Sequence, residues 1–196
     1  MIIGIIILSF LFAVVSMLMV LEKITYVDSM VHAYILDIRN GGLTSFFNVV
    51  TELGGATFLL ATCVILLIVL KNKRNAMFIL FNLCLSVLIN ETFKSMFMRT
   101  RPVGINLINE TGFSFPSGHS MVSLAFYGFV AFLLLKCVKK RLWKALIIVM
   151  LCIVIFMIGF SRLYLGVHYL SDIIAGFLLA SIYLTIFINF IKLEKK

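Results

Sequence analysis

Apolar residues along this chain are gathered into six long runs, at 1–21, 53–70, 76–93, 120–138, 142–160 and 170–191, separated by short polar breaks. Each run holds about 18 to 22 residues, which is what an α-helix needs to cross ~30 Å of hydrocarbon. None contains an interior proline. Pro102 and Pro116 both fall in the loop after the third run, where a missing N–H interrupts no helical ladder. The pattern predicts an all-α integral membrane protein of six transmembrane helices, forming a single membrane-embedded domain over 1–196. The first run is longer than a secretory signal core and has no basic residue before it, so it reads as a retained helix.

Between the first two runs, residues 28–50 mix Met30, Val31, Tyr34, Ile35 and Ile38 with Asp28, His32, Asp37 and Arg39. The apolar positions recur at steps of three and four. This predicts a helix lying at the outer interface and ended by Gly41 and Gly42, although a plain connector fits the same pattern.

Composition agrees. With 63% hydrophobic and 13% charged residues and a mean hydropathy of +1.17, a water-soluble domain is excluded. The net charge of +9 would suit nucleic acid if it were concentrated on one surface, but it flanks the apolar runs instead. No nucleic-acid partner is expected; the bilayer is the partner.

Lys71, Lys73 and Arg74 follow the second run, Lys136, Lys139, Lys140, Arg141 and Lys144 join the fourth to the fifth, and Lys192, Lys195 and Lys196 end the chain. Cytoplasmic loops retain such residues, so both termini are expected inside. The loop 94–119 and the turn 161–169 then face outward. Cys63, Cys84, Cys137 and Cys152 lie in or at the edges of the runs without metal-ligand spacing, and read as small buried hydrophobes.

Charge beside an apolar run is costly and asks for a reason. Singly, each case has an ordinary one: Lys94 can snorkel, Arg162 can anchor a helix at the headgroups, and a lone histidine can sit at the interface. Three clusters on the outer side change that reading. Lys94 and Arg101-Pro102 stand at the lip of the third run. Pro116-Ser117-Gly118-His119 opens the fourth, where Ser117 can cap the helix and Gly118 lets backbone approach an anion. Ser161-Arg162, His168 and Asp172 bridge the fifth and sixth. His168 and Asp172 are four apart, so the carboxylate can hold one imidazole nitrogen and leave the other free to attack.

Three cations, a helix N-terminus and two histidines suit phosphoryl transfer, where charge spreads over the equatorial oxygens. No carboxylate cage for Mg²⁺ and no phosphate-binding glycine loop is visible, so no metal or other cofactor is expected. Arg99 and Glu110 read as solvated loop charges, and Glu91 as a structural partner of Lys94 one turn away.

Lys94-x6-Arg101-Pro102, Pro116-Ser117-Gly118-His119 and Ser161-Arg162-x5-His168-x3-Asp172 resemble the three-part signature of the type 2 phosphatidic acid phosphatases, a superfamily that includes the vanadium haloperoxidases. No signature position departs from the pattern. The resemblance implies a lipid phosphatase in which His168 becomes a phosphohistidine, Asp172 orients it and His119 serves as acid and then base. It also implies that Lys94, Arg101, Ser117, Gly118 and Arg162 bind phosphate. The short chain is similar to bacterial enzymes acting on phosphatidylglycerophosphate, phosphatidic acid or undecaprenyl diphosphate, and the signature does not separate these. A lipid transporter or scramblase is the alternative from another class, but its broken helices and paired repeats are not seen.

Overall fold

The computed structural model describes residues 2–193 and consists there of eight helices with no strand. Met1, where the first run opens, and Lys195 and Lys196 of the C-terminal basic cluster lie outside the described residues. The helices are α1 (Ile2–Val20), α2 (Thr25–Ile38), α3 (Gly41–Glu52), α4 (Ala56–Val69), α5 (Lys73–Phe97), α6 (Gly118–Cys137), α7 (Arg141–Tyr164) and α8 (Leu170–Leu193). Five of them, α1, α5, α6, α7 and α8, are long and apolar enough to cross a membrane alone.

The sixth span has a different construction from the one the pattern predicts. Residues 53–55 form a turn rather than the start of a helix, with Leu53, Gly54 and Gly55 N–H groups reaching the carbonyls of Val50, Thr51 and Glu52. The 14 residues of α4 rise about 21 Å, short of a bilayer core. Only with α3, bent from α4 by 46°, does the pair make a span.

The predicted interfacial helix is likewise two helices. Gly41 and Gly42 open α3 instead of ending α2, because Asn40 is the stronger punctuation. Its backbone is extended (φ −152°) and its side chain accepts from Leu43 N–H as an N-cap.

At the centre stands α6, packed against α8, α5 and α7. Its lower half builds the main core, where Phe126 and Phe129 meet Leu59, Ile79, Leu83, Tyr183 and Phe187. At the other end small residues let helices approach closely, as membrane helix packing favours. A Cβ on Gly176 of α8 would lie 2.7 Å from the Ser117 carbonyl oxygen. That approach lets Ser117 N–H donate to the Asp172 carbonyl at 3.0 Å, locking the start of α6 to the start of α8.

Helix α1 is peripheral, running along α8 with Ile2, Ile3, Ile6 and Phe10 exposed. Of the cysteines only Cys63 is buried. Cys84, Cys137 and Cys152 sit on exposed faces, contrary to expectation, since in a bilayer an apolar outer face needs no protein cover.

Candidate active site

All three sequence clusters meet at one end of the bundle, where α5 and α7 finish and α6 and α8 begin. The turn between α7 and α8 depends on Gly166, at φ +76°, where a side chain would run into the Ile105 carbonyl. The turn is pinned from outside by Arg39. Its Nε and Nη2 donate to the Tyr164 carbonyl at 3.0 and 2.6 Å, and its Nη1 donates to the Ile105 carbonyl at 2.7 Å.

His168 leaves this turn almost fully buried. Its Nδ1 lies 3.3 Å from Asp172 Oδ2 and its Nε2 lies 3.1 Å from Arg101 Nη1. A guanidinium only donates, so Nε2 is the bare acceptor and Nδ1 carries the proton toward the carboxylate. Burial lowers the imidazole pKa to about 4 despite Asp172, whose attraction is opposed by Arg101 and Arg162. The ring is therefore neutral at pH 7, with its lone pair aimed at the cations. Asp172 is held on both oxygens: Tyr169 N–H donates to Oδ2 at 2.9 Å and Arg99 Nη1 to Oδ1 at 2.6 Å.

Arg101 stands at that lone pair, and Arg162 is near enough to act on the ring. Arg101 is braced by the carbonyls of Gly112, Thr111 and Val167 at 3.0 to 3.1 Å. Arg162, 1% exposed, donates through Nη1 to Thr51 Oγ1 at 2.6 Å and through Nη2 to Glu110 Oε1. Its buried Nε has no hydrogen-bond partner among the described residues. An orphaned guanidinium N–H in a buried site is costly unless an anion completes it.

Lys94, in the last turn of α5, pairs with Glu91 at 3.2 Å, as its spacing predicts. A Cβ on Gly118 would lie 3.6 Å from Lys94 Nζ, so the missing side chain keeps the N-terminus of α6 open toward the ammonium group. Ser117 is the cap of that helix, accepting from Ser120 N–H at 3.4 Å. One turn below Lys94, buried Asn90 ties the same start down by donating to the Pro116 carbonyl at 3.3 Å.

His119 points between two clefts, and its ring takes part in no hydrogen bond among the described residues. The first cleft, about 500 Å³, runs between α4, α5 and α6, with Leu60, Leu83 and Val87 along its length and Lys94, Glu110 and His119 at its end. The second, about 480 Å³, is polar and includes Asn48, Glu52, Asn109, Glu110 and Arg162. An apolar trough and a polar vestibule thus share one imidazole and one carboxylate. This shape fits an amphiphile whose tail stays in lipid while its head meets water.

The structure brings together every residue proposed from the sequence: His119, His168, Asp172, Lys94, Arg101, Ser117, Gly118 and Arg162. Two others depart from what the sequence leads one to expect. Arg99 is not a solvated loop charge but is bound to Asp172, and Glu110 is bound to Arg162, with Arg101 3.8 Å away. Burial acts to raise the Glu110 carboxyl, but Arg162 and then Arg101 hold it below the ordinary range.

Sequence reasoning missed Asp28, His32, Thr51 and Ser171. The available signal was the spacing of Asp28, His32 and Ile35, which forms one stripe of α2 and is continued by Arg39 at its C-cap. A helix that turns polar residues inward on its buried stripe is holding something.

The family model of the PAP2 superfamily matches residues 75–196. Phosphatidylglycerophosphatase B of Bacillus subtilis is 32% identical over 146 residues, covering 71% of this chain and 71% of its own. Undecaprenyl-diphosphatase of Sulfolobus acidocaldarius is 29% identical over 60% of this chain and 55% of its own. Among solved structures, the transmembrane PAP2 type phosphatidylglycerolphosphate phosphatase of Bacillus subtilis superposes with a TM-score of 0.89 at 26% identity, covering 96% of both chains. Aquifex aeolicus LpxE superposes with a TM-score of 0.64 at 25% identity, over 82% of this chain and 92% of that one.

Proposed function

The chain belongs to the PAP2 superfamily and is a membrane lipid phosphatase, and from that premise we propose that it removes the terminal phosphate of a lipid headgroup through a phosphohistidine on His168. The observation that carries this reading is the state of that ring. Nδ1 is committed to Asp172, and Nε2 keeps a lone pair directed at the Arg101 guanidinium.

Nε2 attacks phosphorus as the lipid oxygen leaves on the opposite side. Arg101, Arg162 and Lys94, with the first N–H groups of α6 behind Gly118 and Ser117, hold the three equatorial oxygens. The orphaned Nε of Arg162 supplies one of these bonds. His119 gives its proton to the departing lipid alkoxide or phosphate oxygen. The phosphohistidine is then an imidazolium, and Asp172 opposes its charge. Water enters from the polar vestibule, His119 takes its proton, and the N–P bond breaks to release inorganic phosphate and restore both rings. The cations neutralise the developing charge, so the reaction is expected to persist in EDTA.

The substrate we infer is phosphatidylglycerophosphate, which the relative from Bacillus subtilis supports, or phosphatidic acid, which the same site chemistry would accept. A second reading, undecaprenyl diphosphate recycled as a cell-wall carrier, is favoured by the relative from Sulfolobus acidocaldarius. We place the site on the outer side with both termini cytoplasmic. In support, the basic segments around 71–74 and 136–144 adjoin the helix ends opposite to the site.

The test is phosphate release in detergent from these three lipids by the parent protein and by His168→Ala. The reading requires the variant to be inactive on all three. Release by folded His168→Ala at the parent rate would refute the assignment, and the parent's preference among the lipids chooses the substrate.

A further inference from the structure

The reaction above uses Asp172 but leaves unexplained what stands behind it. Asp28, on α2, is a carboxylate only 1% exposed. It accepts from Ser171 N–H at 3.0 Å, from Ser171 Oγ at 2.6 Å and from Arg99 Nη2 at 2.7 Å. The other prong of the same guanidinium, Nη1, reaches Asp172 Oδ1 at 2.6 Å and Ser171 Oγ at 2.7 Å. The plane of Arg99 lies on the Tyr169 ring at 4.0 Å. A continuous hydrogen-bonded chain therefore runs from buried Asp28 through part-buried Arg99 to buried Asp172 and His168.

The chain turns at the C-cap of α5, immediately before Arg99. Met98, just before Arg99, has φ +47° and ψ +33°, a left-handed conformation that a side chain disfavours. Helix α2 holds the nucleophile's turn at two further points. His32, one turn after Asp28, donates from its ring to the His168 carbonyl at 3.1 Å, and Arg39 holds the Tyr164 carbonyl.

Charge counting gives the chain a purpose. Arg99 alone beside Asp172 would cancel the negative charge that has to face the imidazolium of the intermediate. A second buried carboxylate on the far prong takes up the guanidinium's charge. The pair of carboxylates then keeps one net negative charge for His168, while the planar fork fixes the direction of Asp172.

We propose that Asp28 and Arg99 are positioning residues of the phosphatase reaction: through them α2 sets the orientation and the charge of Asp172 without touching the substrate. The inference rests on the reading of His168 as nucleophile.

The test is a double-mutant cycle on the full-length protein in detergent, using Asp28→Asn, Asp172→Asn and the pair, with vanadate affinity and thermal melting measured beside phosphate release. Asp28→Asn is expected to lower kcat about 10- to 100-fold, the range found when the group supporting a functional ligand is lost, with KM and vanadate affinity held. On the Asp172→Asn background the same change should cost less than about twofold, because the path it acts through is already cut. Arg99→Lys keeps the charge but loses the fork. It should show the same split, and it replaces Asp28→Asn if that variant does not accumulate folded protein.

Parent-like kcat in folded Asp28→Asn and Arg99→Lys, equal losses on both backgrounds, or a loss that only follows the unfolded fraction would each overturn the proposal. His168→Ala, measured in parallel, separates the two levels. If it is active the nucleophile is wrong, whereas if it is inactive while Asp28→Asn matches the parent, only the present inference fails.

Discussion

Glu110 and Arg162 form an ion pair in the middle of the phosphate site, with Arg101 3.8 Å from the same carboxylate. The carboxylate competes there for the guanidinium that a substrate oxyanion has to engage. Glu110→Gln removes this rival anion while keeping the side chain's length. It is expected to tighten vanadate and inorganic phosphate as inhibitors by roughly threefold to tenfold, the size of one partly exposed charge pair. Unchanged inhibition constants would mean that Glu110 stays with Arg162 when anions bind.

The lowered pKa of His168 has two consequences in opposite assays. Its neutral form is the nucleophile, so the acid limb of kcat/KM should fall near pH 4 rather than at the ordinary histidine value of about 6.5. For stability, the unfolded chain binds a proton between these two values that the native ring refuses. Stability contributed by this group is therefore full above pH 6.5 and is lost as pH falls toward 4. Melting of the detergent-solubilised protein from pH 4 to 7 should show that slope, and His168→Asn should reduce it. A parent acid limb at pH 6.5 would remove the basis for both expectations.

How much of this was legible beforehand depended on the kind of signal. Hydrophobic runs about 20 residues long gave five spans directly, because a bilayer imposes length and composition together. The site residues were legible because charge beside such runs is rare enough to stand out. The broken sixth span was not legible. Leu53 continues the apolar run by composition, and the close approach of Gly54 to Ile158 and His119, where a Cβ would collide, is a tertiary contact that a hydropathy pattern does not carry. Arg99 and Asp28 were invisible for another reason. Each looks like an ordinary polar loop or interface residue until α2 is folded against the α7–α8 turn, a contact between segments some 140 positions apart.

That crowding at Gly54 yields a further prediction. A Cβ there would lie 2.5 Å from Ile158 Cγ2 and 3.1 Å from His119 Cδ2. Gly54→Ala should displace the imidazole by a few tenths of an ångström and lower kcat several-fold, since a misplacement of about 1 Å can cost roughly 100-fold. Lipid binding should be retained, because Lys94, Arg101 and Arg162 are untouched. A variant with parent kcat would show that His119 tolerates the shift and would weaken its assignment as the acid.

The apolar cleft between α4, α5 and α6 permits a separation of tail recognition from chemistry. Leu60 and Val87 line its length, whereas the site groups Lys94, Glu110 and His119 lie at its end. Leu60→Trp or Val87→Trp fills part of a trough of about 500 Å³ without reaching the cations. If substrates lie with their chains in this trough, KM for a long-chain lipid phosphate should rise several-fold, because each buried methylene displaced forfeits about 0.8 kcal/mol. Turnover of a short-chain, water-soluble phosphomonoester should stay at the parent value, since it needs only the polar end. Equal losses for both substrates would place the damage in the active site, and no loss for either would put the tails elsewhere on the bundle.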